Sequence, residues 1–366
     1  MRSLILPNGV VARLADQIRA ASASRHPLVI QAGGTKDFYG NSTAGVRLDP
    51  RECAGIVAYE PTELVITARA GTRLAELEAA LAERNQMLPF EPPHFGEAAT
   101  VGGCVAAGLA GPRRAAVGVA SGAIRDSVLG AKLLDGRGTV LSFGGTVMKN
   151  VAGYDVSRLL AGSLGTLGVL LEVSIRVVPQ PPLERTVRFV TDEEGAARRC
   201  AKWRRLGLPV SATLWQRDRL FLRMSGSRTA VDAAISATEG DALEESEARA
   251  LWRDVREQRA PFFSGSSKLW RVAVPPGAAA LALTGDQLIE WSGALRWLST
   301  DAAGSIIRGR AAALGGHATL FRGHAGGETA FTPRAPVIAR LEARLRAEFD
   351  PAGIFNPGRM HANEPG

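Results

Sequence analysis

The sequence predicts an α+β protein of two domains, and three features of the chain support this. Its 366 residues and 46% hydrophobic content suffice for two packed cores and exceed one ordinary core. Glycine is dense early in the chain, with 16 glycines in the 73 residues from Gly96 to Gly168 against 18 in the 185 residues from Pro182 onward. All six tryptophans follow a proline cluster at Pro179, Pro181 and Pro182, which is typical of a linker between domains.

The first domain is expected over residues 1–182, where helical and strand patterns alternate. A helical pattern near the start places three apolar residues on one face: Val11, Leu14 and Ile18. The apolar strand Leu28–Gln31 runs into a glycine turn at residues 33–34. A second strand, Leu64–Ala70, precedes a helix that Thr72 can cap. The apolar face of that helix holds Leu74, Leu77 and Leu81.

Further strands of this domain are predicted after the glycine-rich stretch. Val128–Leu134 and Thr139–Phe143, joined by an Asp-Gly-Arg-Gly turn, are typical of a hairpin. In residues 172–177 polar and apolar residues alternate, which predicts a strand with one buried face. This mixture of elements is α+β in character.

A smaller cap domain is expected over residues 183–330. Its pattern has a strand at Thr186–Val190, a helix ending near Gly207, a hairpin at Trp215–Met224 and a helix from about Thr229. This order is typical of a ferredoxin-like sandwich.

The C-terminal segment, residues 331–366, is expected to form a helix followed by a tail. Pro336 is a favourable first residue for a helix, which ends before Asp350 and is followed by an extended tail. One face of this helix holds Ile338, Leu341, Leu345 and Phe349.

Composition argues against several classes of protein. The net charge is +8 and the pI is near 10.0, but 39 arginines and 5 lysines are scattered among acidic residues, so nucleic-acid binding is not predicted. The longest uncharged run, Ala98–Pro112, is shorter than the roughly 18 apolar residues of a membrane span. We read no export signal at the start of the chain, and three dispersed cysteines suit a reducing compartment. A cytoplasmic protein, or one held through a complex on the inner face of the cell membrane, is expected.

Glycine-rich segments predict a dinucleotide site. Backbone amides reach phosphates only where side chains are absent and positive φ is allowed. Each glycine-rich segment taken alone is also compatible with a simple turn or with close helix packing. Four such segments following one another along the chain are hard to explain as separate turns. None matches the Rossmann or P-loop pattern, which disfavours nicotinamide and ATP. The segments are Gln31–Asp37, Ala98–Pro112, Gly122–Asp126 and Gly162–Val169.

Nearly the whole chain resembles the FAD-binding family of vanillyl-alcohol oxidase and p-cresol methylhydroxylase (PCMH). Four strings look like those in FAD-binding subunits of multi-subunit glycolate oxidases: Pro61–Gly71, Met87–His94, Gly144–Asp155 and Phe355–Met360. The resemblance implies a PCMH-type FAD-binding domain of two subdomains, a ferredoxin-like cap, and a C-terminal segment that returns to the FAD domain.

The resemblance also implies which residues bind FAD. The pyrophosphate is expected at two loops, formed by Ala32, Gly33, Gly34, Thr35 and Lys36 and by Thr100, Val101, Gly102 and Gly103. The adenosine and ribityl parts are expected against Ala106, Gly111, Ile124, Gly165, Gly168 and Val169, with Asn356 reaching the isoalloxazine. Covalent relatives attach flavin through His or Cys, and the first loop has no His, so we expect non-covalent FAD.

Oxidation of a 2-hydroxy acid needs a base, a hydride acceptor and a cation for the carboxylate. His317 is the candidate base because imidazole titrates in the useful range. Arg114, Lys149 and Arg359 are candidate carboxylate clamps, and Tyr154 is a candidate hydrogen-bond donor near the flavin. Each of these residue types is also common in purely structural or surface positions. The histidines form no ligand-like cluster, so no metal is predicted.

The residues and the resemblance together favour the FAD-binding subunit of a glycolate oxidase complex, which oxidises glycolate to glyoxylate. Its expected partners are a second FAD-binding subunit and an iron–sulfur subunit that receives the electrons, since three separated cysteines cannot hold a cluster. Two alternatives stay open. One is a self-sufficient FAD-dependent dehydrogenase for lactate or a similar 2-hydroxy acid, and the other is a flavin-free assembly subunit.

Overall fold

The structure is a computed structural model that describes residues 8–116, 122–145, 155–265, 268–323 and 328–361. Its helices are α1 Asn8–Ser24, α2 Leu74–Ala82, α3 Val101–Ala107, α4 Ile124–Ser127, α5 Glu193–Arg205, α6 Arg228–Thr238, α7 Glu245–Arg256, α8 Gly304–Ala313 and α9 Pro336–Phe349. Within the described ranges, none of these helices combines the length and the apolar composition needed to cross a bilayer.

The strands belong to two large sheets and two small ones. Those before residue 180 are β1 Leu28–Ile30, β2 Val46–Leu48, β3 Ile56–Glu60, β4 Val65–Arg69, β5 Gln86–Met87, β6 Val128–Leu134, β7 Val140–Gly144, β8 Val169–Arg176 and β9 Val178–Pro179. Those after it are β10 Leu183–Val190, β11 Val210–Gln216, β12 Arg219–Gly226, β13 Asp241–Ala242, β14 Leu269–Ala273, β15 Asp286–Glu290, β16 Leu295–Ser299 and β17 His317–Arg322. Helices and strands are thus mixed along the chain, which confirms the α+β class.

The first large sheet is antiparallel, with the strand order β3-β4-β8-β6-β7. Its β6–β7 hairpin confirms the pairing predicted from the Asp-Gly-Arg-Gly turn. The prediction that β8 has one buried face is wrong, because β8 is the central strand and is buried on both faces. Two of its polar residues have partners on neighbouring strands: Lys132 Nζ lies 2.9 Å from Glu172 Oε1, and the hydroxyls of Thr67 and Ser174 are 2.8 Å apart.

The two ends of the described chain meet beside this sheet. Leu14 and Ile18 of α1 share a hydrophobic core with Ile354 and Phe355 of the C-terminal tail. The Leu28 N–H donates to the Ile354 carbonyl at 2.8 Å, so the tail hydrogen-bonds to β1. The loop that follows β1 is therefore anchored from both sides.

The second large sheet, called the cap sheet below, is antiparallel in the order β13-β10-β12-β11-β15-β16-β14-β17. Its first half follows the chain order β10-α5-β11-β12-α6-β13, and the strand order β13-β10-β12-β11 is the expected ferredoxin-like arrangement. The hairpin turn lies at Arg217 and Asp218. The other four strands extend the same sheet. The proposed domain limits, 1–182, 183–330 and 331–366, stay predictions.

One further detail of the sequence prediction is wrong. Thr72 does not cap α2: its hydroxyl accepts from the Gly55 N–H at 2.9 Å, and the N-cap residue is Arg73, which makes no side-chain cap bond. The apolar face of α9 is not buried as a whole, since Ile338 and Leu341 are 45% and 56% exposed. Phe349, at the end of α9, is its buried residue.

Candidate functional site

A groove runs between the loop after β1, helix α3 and the C-terminal tail. It consists of a cavity of about 330 Å³ and a deeper recess of about 80 Å³. The two are continuous because they share six lining residues: Ile30, Ala32, Gly103, Ala106, Leu164 and Asn356.

The loop after β1 presents bare backbone to this groove. A Cβ on Gly33 would lie 1.7 Å from the Ala98 carbonyl oxygen, and Gly34 has φ +69°, so both positions require glycine. Across the described part of the chain, the backbone N–H groups of residues 32–36 have no hydrogen-bond acceptor. A run of free amides of this kind forms an anion-binding nest, which suits a diphosphate.

Lys36 places a positive charge at the end of this nest. Its Nζ donates to the His94 carbonyl at 3.1 Å and lies 5.7 Å from the centre of the Phe95 ring. Burial of the ammonium group lowers its pKa. Arg359 also lines the groove, but its Nη2 donates to the Asp37 carbonyl at 2.8 Å. Arg359 therefore ties the loop to the tail, and this bond competes with its predicted role as a carboxylate clamp.

The second predicted loop contributes open space beside a glycine to the groove, and its amides are bonded within the protein. The Val101 and Gly102 amides donate to the Thr72 and Ala70 carbonyls, and the Gly103 amide donates to Thr100 Oγ1 at 3.1 Å. These amides are therefore used within the protein. A Cβ on Gly103 would meet only Thr100 Oγ1 within 4 Å, so the rest of the space beside this glycine is open to the groove.

Asn356 joins three walls of the groove. Its Oδ1 accepts from the Ile30 N–H at 2.8 Å, and its Nδ2 donates to the Leu164 carbonyl at 2.6 Å. A Cβ on Gly165 would lie 2.7 Å from that Nδ2, and Gly165 has φ +71°, so glycine is required there too. Asn356 lies in the groove lining, and its contact with an isoalloxazine stays a prediction.

Most of the predicted cofactor residues lie together in this groove: Ala32, Gly33, Gly34, Thr35, Lys36, Thr100, Gly102, Gly103, Ala106, Gly165, Gly168, Val169 and Asn356. Three others lie elsewhere. Val101 and Ile124 are in the hydrophobic core, and Gly111 packs against Glu91 with its carbonyl accepting from Trp291 Nε1. Ser42 and Thr43 line the groove and were missed, because no glycine pattern marks them.

The predicted catalytic residues are dispersed. His317 is the exposed first residue of β17. Its pKa is lowered because the side chain is partly buried, and the nearby Arg271 lowers it further. The Arg114 guanidinium lies 5.7 Å from the Trp291 ring. Tyr154 and Lys149 lie outside the described residues. Of the His, Cys, Asp and Glu residues that the structure describes, no three are grouped as metal ligands.

Cys104 lies beside the groove, on α3. Its side chain is buried, and burial raises the pKa of the thiol to about 12. The thiol is therefore uncharged at neutral pH and is a poor nucleophile there.

Comparisons with known proteins agree with this geometry. Residues 9–157 match a family described as FAD binding domain. Glycolate oxidase subunit GlcE of Escherichia coli (strain K12) is 46% identical over 349 residues, covering 95% of this chain and 97% of that protein. Glycolate oxidase subunit GlcD of Bacillus subtilis (strain 168) is 29% identical over 199 residues, which are 52% of this chain and 41% of that protein.

The likeness extends to the fold of a solved structure. An alkyldihydroxyacetonephosphate synthase superposes with a TM-score of 0.64 at 13% identity, covering 94% of this chain and 74% of that one. The free amides at residues 32–36 and the open space beside Gly103 fit FAD, which is the cofactor of this domain. The chain belongs to the PCMH-type family of FAD-binding oxidoreductases, among the glycolate oxidase subunits of the GlcE kind.

Proposed function

We propose that this chain is the FAD-binding subunit of a complex that oxidises glycolate to glyoxylate. The groove walled by free amides is the observation that carries the proposal, and the similarity to GlcE over 95% of the chain indicates the substrate. When bound, FAD supplies a two-electron acceptor for a hydride from the hydroxyl-bearing carbon.

The residues of the chain hold and orient this cofactor. The amides of residues 32–36 and the Lys36 ammonium neutralise a diphosphate, and Gly103 lets the ligand approach the backbone of α3. The uncharged Cys104 thiol and the absence of His from the first loop support non-covalent binding. Denaturation with acid is expected to release all of the flavin into the supernatant, and flavin retained on the denatured chain would contradict this.

Replacing Gly103 with valine tests the cofactor site. The new Cβ would lie 3.1 Å from Thr100 Oγ1 and otherwise project into groove space, so only a small local shift of Thr100 is needed for the fold to remain. FAD affinity is expected to fall about 100-fold or more, which is about 3 kcal/mol. Gly309→Val is the matched control, because Gly309 is also within a helix and has open space beside it, but it lies far along the chain on α8. Flavin absorbance after desalting and thermal melting of both variants check the prediction. A Gly103→Val protein that keeps its full flavin content would overturn it.

Electrons must leave this subunit through a partner. All three cysteines, Cys53, Cys104 and Cys200, are buried free thiols, and four thiolates are needed for an iron–sulfur cluster of the ferredoxin type. We therefore infer an iron–sulfur subunit as acceptor and a second FAD-binding subunit in the complex, located in the cytoplasm or on the inner face of the membrane.

Helix α9 is the surface that we assign to the partner. Val337, Ile338 and Leu341 are exposed on it, and an exposed apolar patch of this kind is typical of a protein–protein interface. Arg340 and Arg344 are exposed on the same helix, with no carboxylate partner among the residues described. This apolar patch with free arginines suits a partner subunit whose contact surface is apolar with an acidic rim.

Anaerobic mixing with glycolate tests the function itself. The flavin of the assembled complex is expected to be reduced, and reduction is expected to fail without the partners. Reduction of the isolated chain by D-lactate would instead favour a self-sufficient dehydrogenase. A well-folded preparation that binds no FAD would favour a flavin-free assembly subunit.

A further inference from the structure

One face of the cap sheet packs against the FAD-binding domain. Leu288, Trp297 and Phe321 on this face share a hydrophobic cluster with Ala107 and Leu164 of the FAD-binding side. Ala107 and Leu164 also line the groove. This face of the cap sheet is therefore adjacent to the cofactor site.

Trp291 holds two arginines at this contact. The guanidinium carbon of Arg114 lies 5.7 Å from its ring centre, and that of Arg271, from β14, lies 5.2 Å away. The indole is fixed because its Nε1 donates to the Gly111 carbonyl at 3.0 Å. Trp291 and Ser292 both have positive φ, +54° and +55°, a strained conformation for residues other than glycine. Such strain persists only where the surroundings impose it, and it is concentrated at functional sites.

Neither arginine is bonded to a carboxylate among the described residues, although Asp126 lies near Arg114 and Glu290 lies near Arg271. Within the described ranges, neither Arg114 nor Arg271 forms an ion pair or a side-chain hydrogen bond, although both are half-buried. Arg113, the neighbour of Arg114, contrasts with them because it is paired with Glu91. Burial lowers the pKa of Arg114, Asp126 partly opposes this, and Arg125 and Arg271 lower the pKa further. Two such cations against one indole are stabilised when an anion binds between the sheet and the FAD-binding domain.

Polar groups suited to a hydroxy acid surround Arg271. The carboxyl of Glu290 is buried and accepts from Trp297 Nε1 at 2.8 Å, and its pKa is raised to about 7 by burial. Tyr39 is close enough for Arg271 to lower its pKa, which burial raises. His317 lies on the same face of the sheet, since the β14–β17 register pairs Arg271 with Thr319 and Ala273 with His317.

We propose that Arg271 and Arg114 bind the carboxylate of a small 2-hydroxy acid at the contact between the cap sheet and the FAD-binding domain, with Trp291 fixing both guanidinium groups. The identity of the acid rests on the proposed function, whereas affinity for a carboxylate does not. Arginine suits this role because its planar fork donates two parallel hydrogen bonds to a carboxylate.

Calorimetric titration of the FAD-loaded full-length chain with oxalate tests this site, because oxalate carries carboxylates and no C–H to oxidise. Arg271→Gln is expected to weaken oxalate binding by about 10- to 100-fold, as for loss of a charge-assisted hydrogen bond. Arg271→Lys is expected to have an oxalate affinity between those of the wild type and Arg271→Gln. If Arg271→Gln does not fold, Arg271→Lys is tested in its place. The matched control is Arg199→Gln, because Arg199 also lies over an aromatic ring, 4.9 Å from the centre of Phe189, but is exposed on α5.

Four outcomes are decisive. Oxalate affinity of Arg271→Gln within about threefold of wild type, or equal affinity of the wild type for inorganic phosphate, would overturn the proposal. If Arg271→Gln loses oxalate binding and the assembled complex never oxidises glycolate, the site is supported and the proposed function is refuted. Unchanged KM for glycolate in the Arg271→Gln complex would refute the site and leave the proposed function standing.

Discussion

Glu91 is held between two arginines, one from the FAD-binding domain and one from the cap sheet. Its carboxylate accepts from Arg113 Nε at 3.3 Å and from Arg223 Nη2 at 2.8 Å, and both arginine side chains are almost fully buried. Burial alone would raise the pKa of Glu91, but Arg223 and Arg113 lower it from 4.5 to about 2. At about 1.36 kcal/mol per pKa unit, this shift stabilises the folded protein by about 3 kcal/mol at neutral pH. Glu91→Gln is expected to reduce the free energy of unfolding by that amount.

The pH dependence follows from the direction of the shift. Because the pKa of Glu91 is lower in the folded chain, its stabilisation is present above the ordinary value of 4.5 and is lost as the pH falls towards 2. Urea unfolding, followed by tryptophan fluorescence, should therefore show an equal gap between wild type and variant at neutral and mildly acidic pH. The gap should shrink below pH 4.5.

Glu184→Gln is the control for this network. Glu184 contacts the same two arginines, but its side chain is 37% exposed, so solvent screens its charge and a smaller loss is expected. A gap below about 1 kcal/mol for Glu91→Gln at neutral pH would refute the reasoning, because removal of one partner from a buried ion pair costs about 3–5 kcal/mol. So would a gap that does not shrink in acid.

Glu290→Gln is expected to show the opposite pH dependence. Burial raises the pKa of Glu290 to about 7 in the folded chain. The stabilisation from the protonated carboxyl is therefore present below pH 4.5 and is lost as the pH rises through 7. Thermal melts should show the variant gaining stability over wild type in mild alkali and not in acid; equal differences at both would contradict this. Leu341→Asp on α9 is expected to keep FAD and the Tm while weakening co-purification with partner subunits at least tenfold. Ile306→Asp is the control, because Ile306 is 57% exposed on α8. If both variants assemble with the partner subunits as the wild type does, the interface lies elsewhere than on α9.

Local patterns predicted several of the helices and strands directly. Helix α2 buries Leu74, Leu77 and Leu81 as their spacing indicated, and the β6–β7 hairpin forms at the predicted turn. These features depend on residues near one another in the chain, so the sequence carries them directly. The burial of both faces of β8 depends on which elements cover it, and alternation within one strand does not contain that information.

The cofactor loops were predictable for a similar local reason. Only glycine fits where a side chain would collide with backbone, as Gly33 would with Ala98, so the requirement is visible as a residue type. The second loop was also expected to hold the pyrophosphate, and only the folded chain shows that its amides bond to Thr72, Ala70 and Thr100.

The sequence by itself determined the α+β class, the helices and strands with clear local patterns, and the glycine loops of the FAD site. Tertiary structure alone decided that Arg114 and Arg271 meet at Trp291 without an ion pair among the described residues. Arg271 carries no local signal, because its place beside Trp291 and Arg114 depends on the register of β14 in the cap sheet and on a contact with a residue far away in the chain. Charge pairing is a property of distances in space, and residue type and spacing along the chain do not encode those distances.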